Sequence, residues 1–251
     1  MINLKGKVTL ITGGSRGIGR AIALLFAKAG SNLVVNYRTD RGEPLDIIAE
    51  AERLGVRAIG IKADVGDRKQ VDAMVQQAIT EFGCIDVLVN NAGVWVRNPI
   101  DQMSEVLLQE TIDINLMGTF YTCMAVAPHM IGRRSGTIIN ISSTAGQRGE
   151  AKHSPYAATK GAVISLTKSL ATELAPHNIR VNCVAPGWVD TDMSHEALVG
   201  PDRDWVFGQI PLGRAASADE LAGPVLFMAS DMASFITGEI LNVNGGAVLC
   251  G

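Results

Sequence analysis

The sequence is poor in the residues that hold metals or staples. It has four cysteines, Cys84, Cys123, Cys183 and Cys250, and four histidines, His129, His153, His177 and His195, in 251 residues. The cysteines form no CxxC pair and the histidines lack ligand spacing. Neither a disulfide framework nor a zinc site is expected; the thiols read as buried side chains in a reducing compartment. Positive charge is not in excess: the net charge is -3, which offers no general attraction for nucleic acid or an anionic membrane. No apolar run approaches membrane-spanning length, and Met1 to Lys7 lead into a strand-like stretch without an apolar signal region. A soluble cytoplasmic protein is the expectation. Internal repeats, low-complexity tracts and linkers are absent too. What is present, 47% hydrophobic and 19% charged residues, suits one compact domain over residues 1–251.

Strand-like and helix-like segments alternate along the chain. Val8 to Thr12, Asn32 to Asn36, Ala58 to Ala63, Ile85 to Asn90, Gly136 to Ile141, Arg180 to Val184 and Ile240 to Val243 read as buried strands. Arg20 to Ala29, Asp46 to Leu54, Lys69 to Phe82, Gln109 to Met130, Tyr156 to Leu174 and Ala218 to Ala229 read as helices, the first two stopped by Gly30 and Gly55. Nearly continuous apolar strands separated by helices imply a parallel sheet covered on both faces, a doubly wound, Rossmann-type α/β fold. The longest irregular stretch, Thr191 to Arg214, contains Gly200-Pro201 and Pro211 and reads as a substrate lid.

The first strand runs into Thr12-Gly13-Gly14-Ser15-Arg16-Gly17-Ile18-Gly19, and a helix follows at once. Glycines permit a tight turn and close approach of backbone to a pyrophosphate, and the helix N-terminus offers free N–H groups to the anion. A dinucleotide is therefore expected here. An NAD-selective site usually has an acid at the end of the second strand, for the ribose 2′-OH. This strand ends Asn36-Tyr37-Arg38, with Tyr37 near the place of the acid. Arg38 and Arg16 can clasp a 2′-phosphate through charge-assisted hydrogen bonds. NADP(H) is expected, with use of NAD(H) left open.

Tyr156 and Lys160 are four residues apart, so on a helix they share a face. A positive charge beside a phenol favours its ionised form and brings its pKa, ordinarily about 10, toward neutrality, where proton transfer is most useful. With a nicotinamide alongside, such a pair belongs to a carbonyl reductase or alcohol dehydrogenase.

These residues, with Asn90-Asn91-Ala92-Gly93, Asn115, Ser143 and Pro186-Gly187 in the same order, give the chain a resemblance to the short-chain dehydrogenase/reductase family over essentially its whole length. The resemblance implies that Tyr156 is the acid in reduction and the base in oxidation, and that Lys160 lowers its pKa and holds the nicotinamide ribose. It implies that Ser143 hydrogen-bonds the substrate oxygen, with Ser142 as rival, and that Asn115 extends the proton path. It also implies a cofactor groove made by Gly13, Ser15, Arg16, Gly17, Ile18, Gly19, Tyr37, Arg38, Asp64, Val65, Asn90, Asn91, Ala92, Gly93, Pro186, Gly187, Val189 and Thr191. Asp64 would meet the adenine and Thr191 the carboxamide. Trp95, Trp188, Met193, Trp205 and Phe207 either shape the substrate pocket or pack the core and lid.

Within the family, Thr12 to Gly19, Ala185 to Met193 and Thr237-Gly238-Glu239 are similar to 3-oxoacyl-[acyl-carrier-protein] reductases. That implies NADPH-dependent reduction of a ketone in a β-ketoacyl thioester, delivered by an acidic carrier protein, with Arg133 and Arg134 supplying basic surface near the pocket. His177 stands where such enzymes place another basic docking residue, and His153 where they often have glutamine. Asn36-Tyr37-Arg38 resembles glucose dehydrogenases of the same family, so a sugar, polyol or other secondary alcohol is the runner-up. A non-catalytic NADP-binding scaffold is the reading from another class, opposed by the presence of Asn115, Ser143, Tyr156 and Lys160. Family members are usually homotetramers, and Ala162, Leu166, Leu170 and Leu174 put an apolar stripe on the Tyr156 helix for its own sheet or a partner subunit.

Overall fold

In a computed structural model, which describes residues 2–39 and 43–249 and leaves aside the side chains of residues 43–45, seven strands form one sheet. They are β1 (Val8–Ile11), β2 (Asn32–Tyr37), β3 (Ala58–Lys62), β4 (Val87–Asn90), β5 (Gly136–Ile141), β6 (Ile179–Pro186) and β7 (Ile240–Val243). Every pairing is parallel and the order is β3-β2-β1-β4-β5-β6-β7. The strand order reverses between β1 and β4, which opens a crevice at the carboxyl ends of the strands. This is the doubly wound fold expected from the alternating pattern.

The helices between strands are α1 (Gly17–Lys28), α2 (Glu43–Arg53), α3 (Arg68–Phe82), α4 (Glu105–Ile112), α5 (Gly118–Arg133), α6 (Thr144–Arg148), α7 (Ser154–Leu174), α8 (His195–Val199), α9 (Arg203–Gly208) and α10 (Ala218–Ala229). They cover both faces. Phe26, Ile22, Leu33, Val35, Ile47, Leu221 and Val225 fill one layer. Leu10, Leu88, Ile138, Met74, Val126 and Met130 fill the other. Each such fully buried side chain contributes about 1.5–3 kcal/mol of transfer free energy. Of the α7 stripe, Leu166 and Leu174 are buried in the chain's own fold. Among the described residues no helix is long and apolar enough to cross a membrane. Cys84, Cys123 and Cys183 are free thiols, and Cys250 lies outside the described residues.

Two departures from the sequence pattern have physical causes. The helix expected over 109–130 begins earlier, at α4, where Ser104 caps it by accepting from the Leu107 amide. It is then interrupted by a wider turn over Asp113–Met117, in which the Gly118 N–H reaches the Asp113 carbonyl five residues back. Apolar periodicity does not register one extra residue in a turn, yet that residue rotates Asn115 fully inside. The stretch 191–214 is not irregular throughout: α8 and α9 fold onto a small cluster of Leu198, Val206 and Ile210, packed by Trp188 and Phe207. At five and six residues these helices are too short to show a period.

A buried polar chain ties the layers together beneath the crevice. Thr122 on α5 donates to Asn90 at 2.6 Å, Asn90 donates to Asn140 at 2.9 Å, and Asn140 donates to Thr167 on α7 at 2.9 Å. Above it α6 and α7 meet backbone to backbone. A Cβ on Gly146 would lie 2.5 Å from the Lys160 carbonyl carbon and 2.6 Å from the Gly161 nitrogen. Gly146→Ala is therefore expected to destabilise the fold by roughly 3 kcal/mol, the scale of severe overpacking. Gly132→Ala, on α5 with nothing within 4 Å of the new methyl, is expected to be neutral or stabilising by up to about 1 kcal/mol. Urea unfolding midpoints of the two variants check the contrast.

Candidate active site

The crevice is a cleft of about 330 Å³ that runs from the β1–α1 turn across the carboxyl ends of β4, β5 and β6. Its first wall is backbone. Gly13 and Gly17 have φ of 60° and 53°, conformations that L side chains rarely adopt. Asn91 braces this turn by donating to the Thr12 and Gly13 carbonyls, both at 3.0 Å, and Asn36 accepts from the Gly13 amide at 3.2 Å. Arg16 precedes α1 in extended conformation and its side chain caps nothing, and no acid sits in the first turn. The first amides of α1 thus remain open to an anion, which is the donor set a pyrophosphate needs. Ser15, Gly17 and Ile18 line the cleft here, whereas Gly19 lies outside the lining. A Cβ on Gly19 would come 2.2 Å from the Gly13 carbonyl oxygen, so its work is to let helix and turn touch.

At the far end Tyr37, Arg38, Asp64 and Val65 line the cleft. Arg38 lies 3.4 Å from Glu110 and 4.0 Å from Asp64, and Arg16 lies 3.9 Å from Asp192. All of these side chains are more than a third exposed. Such pairs contribute little and yield readily to a doubly charged phosphate. Asn91, Ala92, Gly93, Pro186, Gly187, Val189 and Thr191 complete the lining expected of a dinucleotide groove. Asn90 does not belong to it, because its amide is spent on the polar chain inside the fold. The residues present fit a dinucleotide along this wall.

The centre of the cleft holds Ser143, Tyr156 and Lys160. Pro155 starts α7 and brings Tyr156 and Lys160 onto the face that meets α6. The Lys160 ammonium donates to the Ile141 carbonyl at 2.8 Å and lies 5.8 Å from the Tyr156 ring centroid. The two serines separate by their bonds. Ser142 is buried and donates to the Lys160 carbonyl at 2.8 Å. Ser143 caps α6 by accepting from Ala145, and it lines the cleft together with Tyr156. Of the two, Ser142 spends its hydroxyl inside the fold, whereas Ser143 only accepts from α6 and lines the cleft with Tyr156. Asn115 is outside the lining: it donates to the Val94 carbonyl at 2.9 Å and accepts from the Val94 amide at 2.8 Å. It positions the Gly93–Val94 backbone beside Lys160.

The electrostatics correct one expectation. Burial pushes the Tyr156 phenol up to about 12, while the Ser143 hydroxyl pulls it back and the charge of Glu150 raises it further. Burial also brings Lys160 down to about 8. Desolvation penalises the charged form of both groups, and the ammonium faces a backbone carbonyl instead of the phenol. The protein's own groups therefore do not bring the phenol toward neutrality.

The aromatic residues and Met193 divide between the two expected roles, and the basic pair Arg133 and Arg134 takes another place than expected. Trp95, Trp188 and Met193 line the cleft, Phe207 packs on the cluster of Leu198, Val206 and Ile210, and Trp205 is exposed outside the cleft. Arg133 pairs with Asp86 at 2.9 Å, and Arg134 donates to the Pro176 carbonyl next to His177. Asp86 precedes β4 and Pro176 precedes β6, so within the chain these cations sit at the amino ends of the strands, opposite the cleft. The pattern around Tyr156 had suggested neither Glu150, Arg148 nor Ser194, all of which line it. Ser194 donates to the Val189 carbonyl and ties down the start of the 191–214 stretch. None of the three falls in a periodic segment, and the only cue was closeness in sequence to Tyr156 or Thr191.

Comparison with known proteins agrees with this geometry. A family described as "Enoyl-(Acyl carrier protein) reductase" matches residues 13–248. The chain is 43% identical over 240 residues to the 3-oxoacyl-[acyl-carrier-protein] reductase FabG of Staphylococcus aureus (strain Mu50), covering 96% of this chain and 97% of that one. It is 41% identical over 249 residues to the protein of the same name from Thermotoga maritima, covering 99% and 100%. A solved structure of a candidate short-chain alcohol dehydrogenase from Sinorhizobium meliloti 1021 superposes with a TM-score of 0.92 at 35% identity, over 98% of this chain and 97% of that one.

Lys160 makes the site costly to the fold. Its folded pKa, about 8, lies below the ordinary 10.5, so the charged group costs stability in full below pH 8. That cost fades as pH rises from 8 through 10.5. Lys160→Met is expected to stabilise the chain at pH 7 by roughly 2 kcal/mol, after subtracting the lost bond to Ile141. The gain should shrink toward pH 10. Urea unfolding at both pH values checks magnitude and sign.

Proposed function

The chain belongs to the short-chain dehydrogenase/reductase family, NAD(P)-dependent oxidoreductases of CH–OH and C=O groups, and from that premise we propose that it reduces 3-oxoacyl thioesters to 3-hydroxyacyl thioesters with NADPH. The observation that carries this is that Ser143, Tyr156 and Lys160 line one cleft with the open glycine turn of the β1–α1 loop. Bound NADPH supplies the hydride. The protein's share is to hold the carbonyl oxygen between the two hydroxyls and to deliver a proton from the Tyr156 Oη as charge develops on that oxygen. A phenol at about 12 is fully protonated at neutral pH and so stands ready as the acid of a reduction. Lys160, charged below about 8, keeps a positive group beneath the groove. Asn115 holds the neighbouring backbone, and Thr191 and Val189 close the nicotinamide end.

The substrate class rests on the relatives, which are named as reductases of 3-oxoacyl groups on acyl carrier protein. The preference for NADPH rests on Arg38, at the far end of the cleft, and Arg16, at the glycine turn, whose guanidiniums are exposed and weakly paired. In this reading the enzyme works in the cytoplasm as a homotetramer and meets acyl carrier protein as its partner. Met232 and Phe235, exposed just before β7, offer apolar surface that another copy can cover. The stretch 191–214 acts as the substrate lid.

Purified protein is expected to oxidise NADPH in the presence of an acetoacetyl thioester, faster than NADH, and to leave a crotonyl thioester untouched. Tyr156→Phe should lower turnover by about 100-fold or more, the usual scale for one preorganised donor. Arg38→Ala should narrow the gap between the two cofactors. NADP⁺-dependent oxidation of a sugar without thioester reduction would replace this substrate class, and undiminished turnover in Tyr156→Phe would remove the mechanism.

A further inference from the structure

On the substrate side of the cleft, away from the dinucleotide groove, one carboxylate is built in. Glu150 lies in the loop between α6 and α7, six residues before Tyr156, and lines the same cleft as Ser143 and Tyr156. Its side chain is only one-fifth exposed. Trp95 donates its indole N–H to the Glu150 Oε1 at 3.1 Å, and the His153 Nδ1 lies 3.7 Å from the same oxygen. The assembly is stiff. The His153 ring stacks on Trp95 at 4.4 Å with 9° between the planes, and Trp188 meets Trp95 edge-on at 5.8 Å. Both recorded contacts fall on Oε1, which leaves Oε2 as the atom available to a ligand.

We propose that Glu150 determines which ketones this cleft accepts: its carboxylate turns away substrates with a free carboxylate next to the reacting carbonyl and admits their neutral esters and thioesters. The proposal deepens the thioester reading of the same site and rests on it for the natural substrate. Its physical basis is Coulombic. A charge in a half-enclosed, aromatic-walled cleft is screened less than one in bulk water. The field of Glu150 already reaches the reacting centre, since it raises the Tyr156 phenol. A second anion held at Ser143 and Tyr156 would meet that field directly.

The neighbouring cations do not cancel it. Arg148 also lines the cleft, but it is exposed and donates to the Gln209 side chain at 2.8 Å. His153 lies 3.2 Å from the Ala151 carbonyl through the same Nδ1 that faces Glu150. Lys160 is turned to the Ile141 carbonyl. Burial raises the Glu150 carboxyl above its ordinary value, with His153, the Trp95 hydrogen bond and Arg148 opposing, so the comparison belongs at about pH 8, well above the ordinary carboxylate range.

The test compares acetoacetate with ethyl acetoacetate, the anionic and neutral forms of one β-keto group, as NADPH-dependent kcat/KM. Glu150→Gln is expected to raise the acid-to-ester ratio about tenfold, the scale of one like-charge contact in a partly screened site. Glu150→Asp, which keeps the charge, should hold the ratio within about twofold of the native value. If Glu150 only shapes the loop, Gln and Asp will lower both substrates together and leave the ratio fixed, and the proposal falls. Should either small ketone escape turnover, dissociation constants of acid and ester from quenching of tryptophan fluorescence carry the same comparison, with the same two outcomes. Failure to reduce an acetoacetyl thioester while the ratio still shifts would overturn the substrate reading and not the role of Glu150.

Discussion

The site depends on keeping a lysine ammonium out of water. Lys160 is buried, and the carbonyl of Ile141 at the end of β5 is what it donates to. Among the described residues no carboxylate pairs with it, and burial draws its pKa down to about 8. Holding it there takes the backbone contact of α6 with α7 at Gly146, the Pro155 start of α7, and the polar chain through Asn90 and Asn140 below. The same burial that costs stability gives Tyr156 its character. A half-buried phenol in a cleft wall, poorer in water than the free side chain, keeps its proton, and a kept proton is what a reductase must deliver. A site that opposes stability in this way is the usual trade of fold for function.

The two sides of the cleft are built differently. The dinucleotide side is mostly backbone: two glycines at positive φ, the open amides of α1, and an asparagine that ties the turn to the strand beyond it. Backbone recognition suits a cofactor that is the same throughout a family. The substrate side is made of side chains: Trp95, Trp188, Met193, Arg148 and Glu150. Side chains can change without moving the sheet, so this wall can carry differences in substrate while the chemistry beside it stays fixed.

That division explains what the sequence made legible. Glycine spacing, strand-to-helix order and the Tyr156–Lys160 interval are local patterns with local causes, and the structure brings those residues into one cleft. Asn115 was visible as a motif, but its burial follows from the extra residue in the Asp113–Met117 turn, which periodicity does not record. Glu150 and Ser194 carry no periodic signal and matter only because of what the fold sets beside them. Arg133 and Arg134 read as a basic patch, yet the direction of α5 carries them to the other end of the sheet. For the phenol, interval in sequence gives proximity and not solvation. Lys160 is near Tyr156, but it is buried, and its ammonium donates to the Ile141 carbonyl.

The most direct test is the titration of Tyr156 in the protein alone. The chain has three tyrosines, Tyr37, Tyr121 and Tyr156, so the tyrosinate absorbance of the native protein minus that of Tyr156→Phe isolates one phenol. The difference should stay flat through pH of about 10, where a free phenol is half ionised. It should rise only toward about 12, as far as circular dichroism shows the fold intact. A Tyr156-dependent rise near neutrality would contradict the account, because it would mean that Lys160, and not burial, sets the phenol.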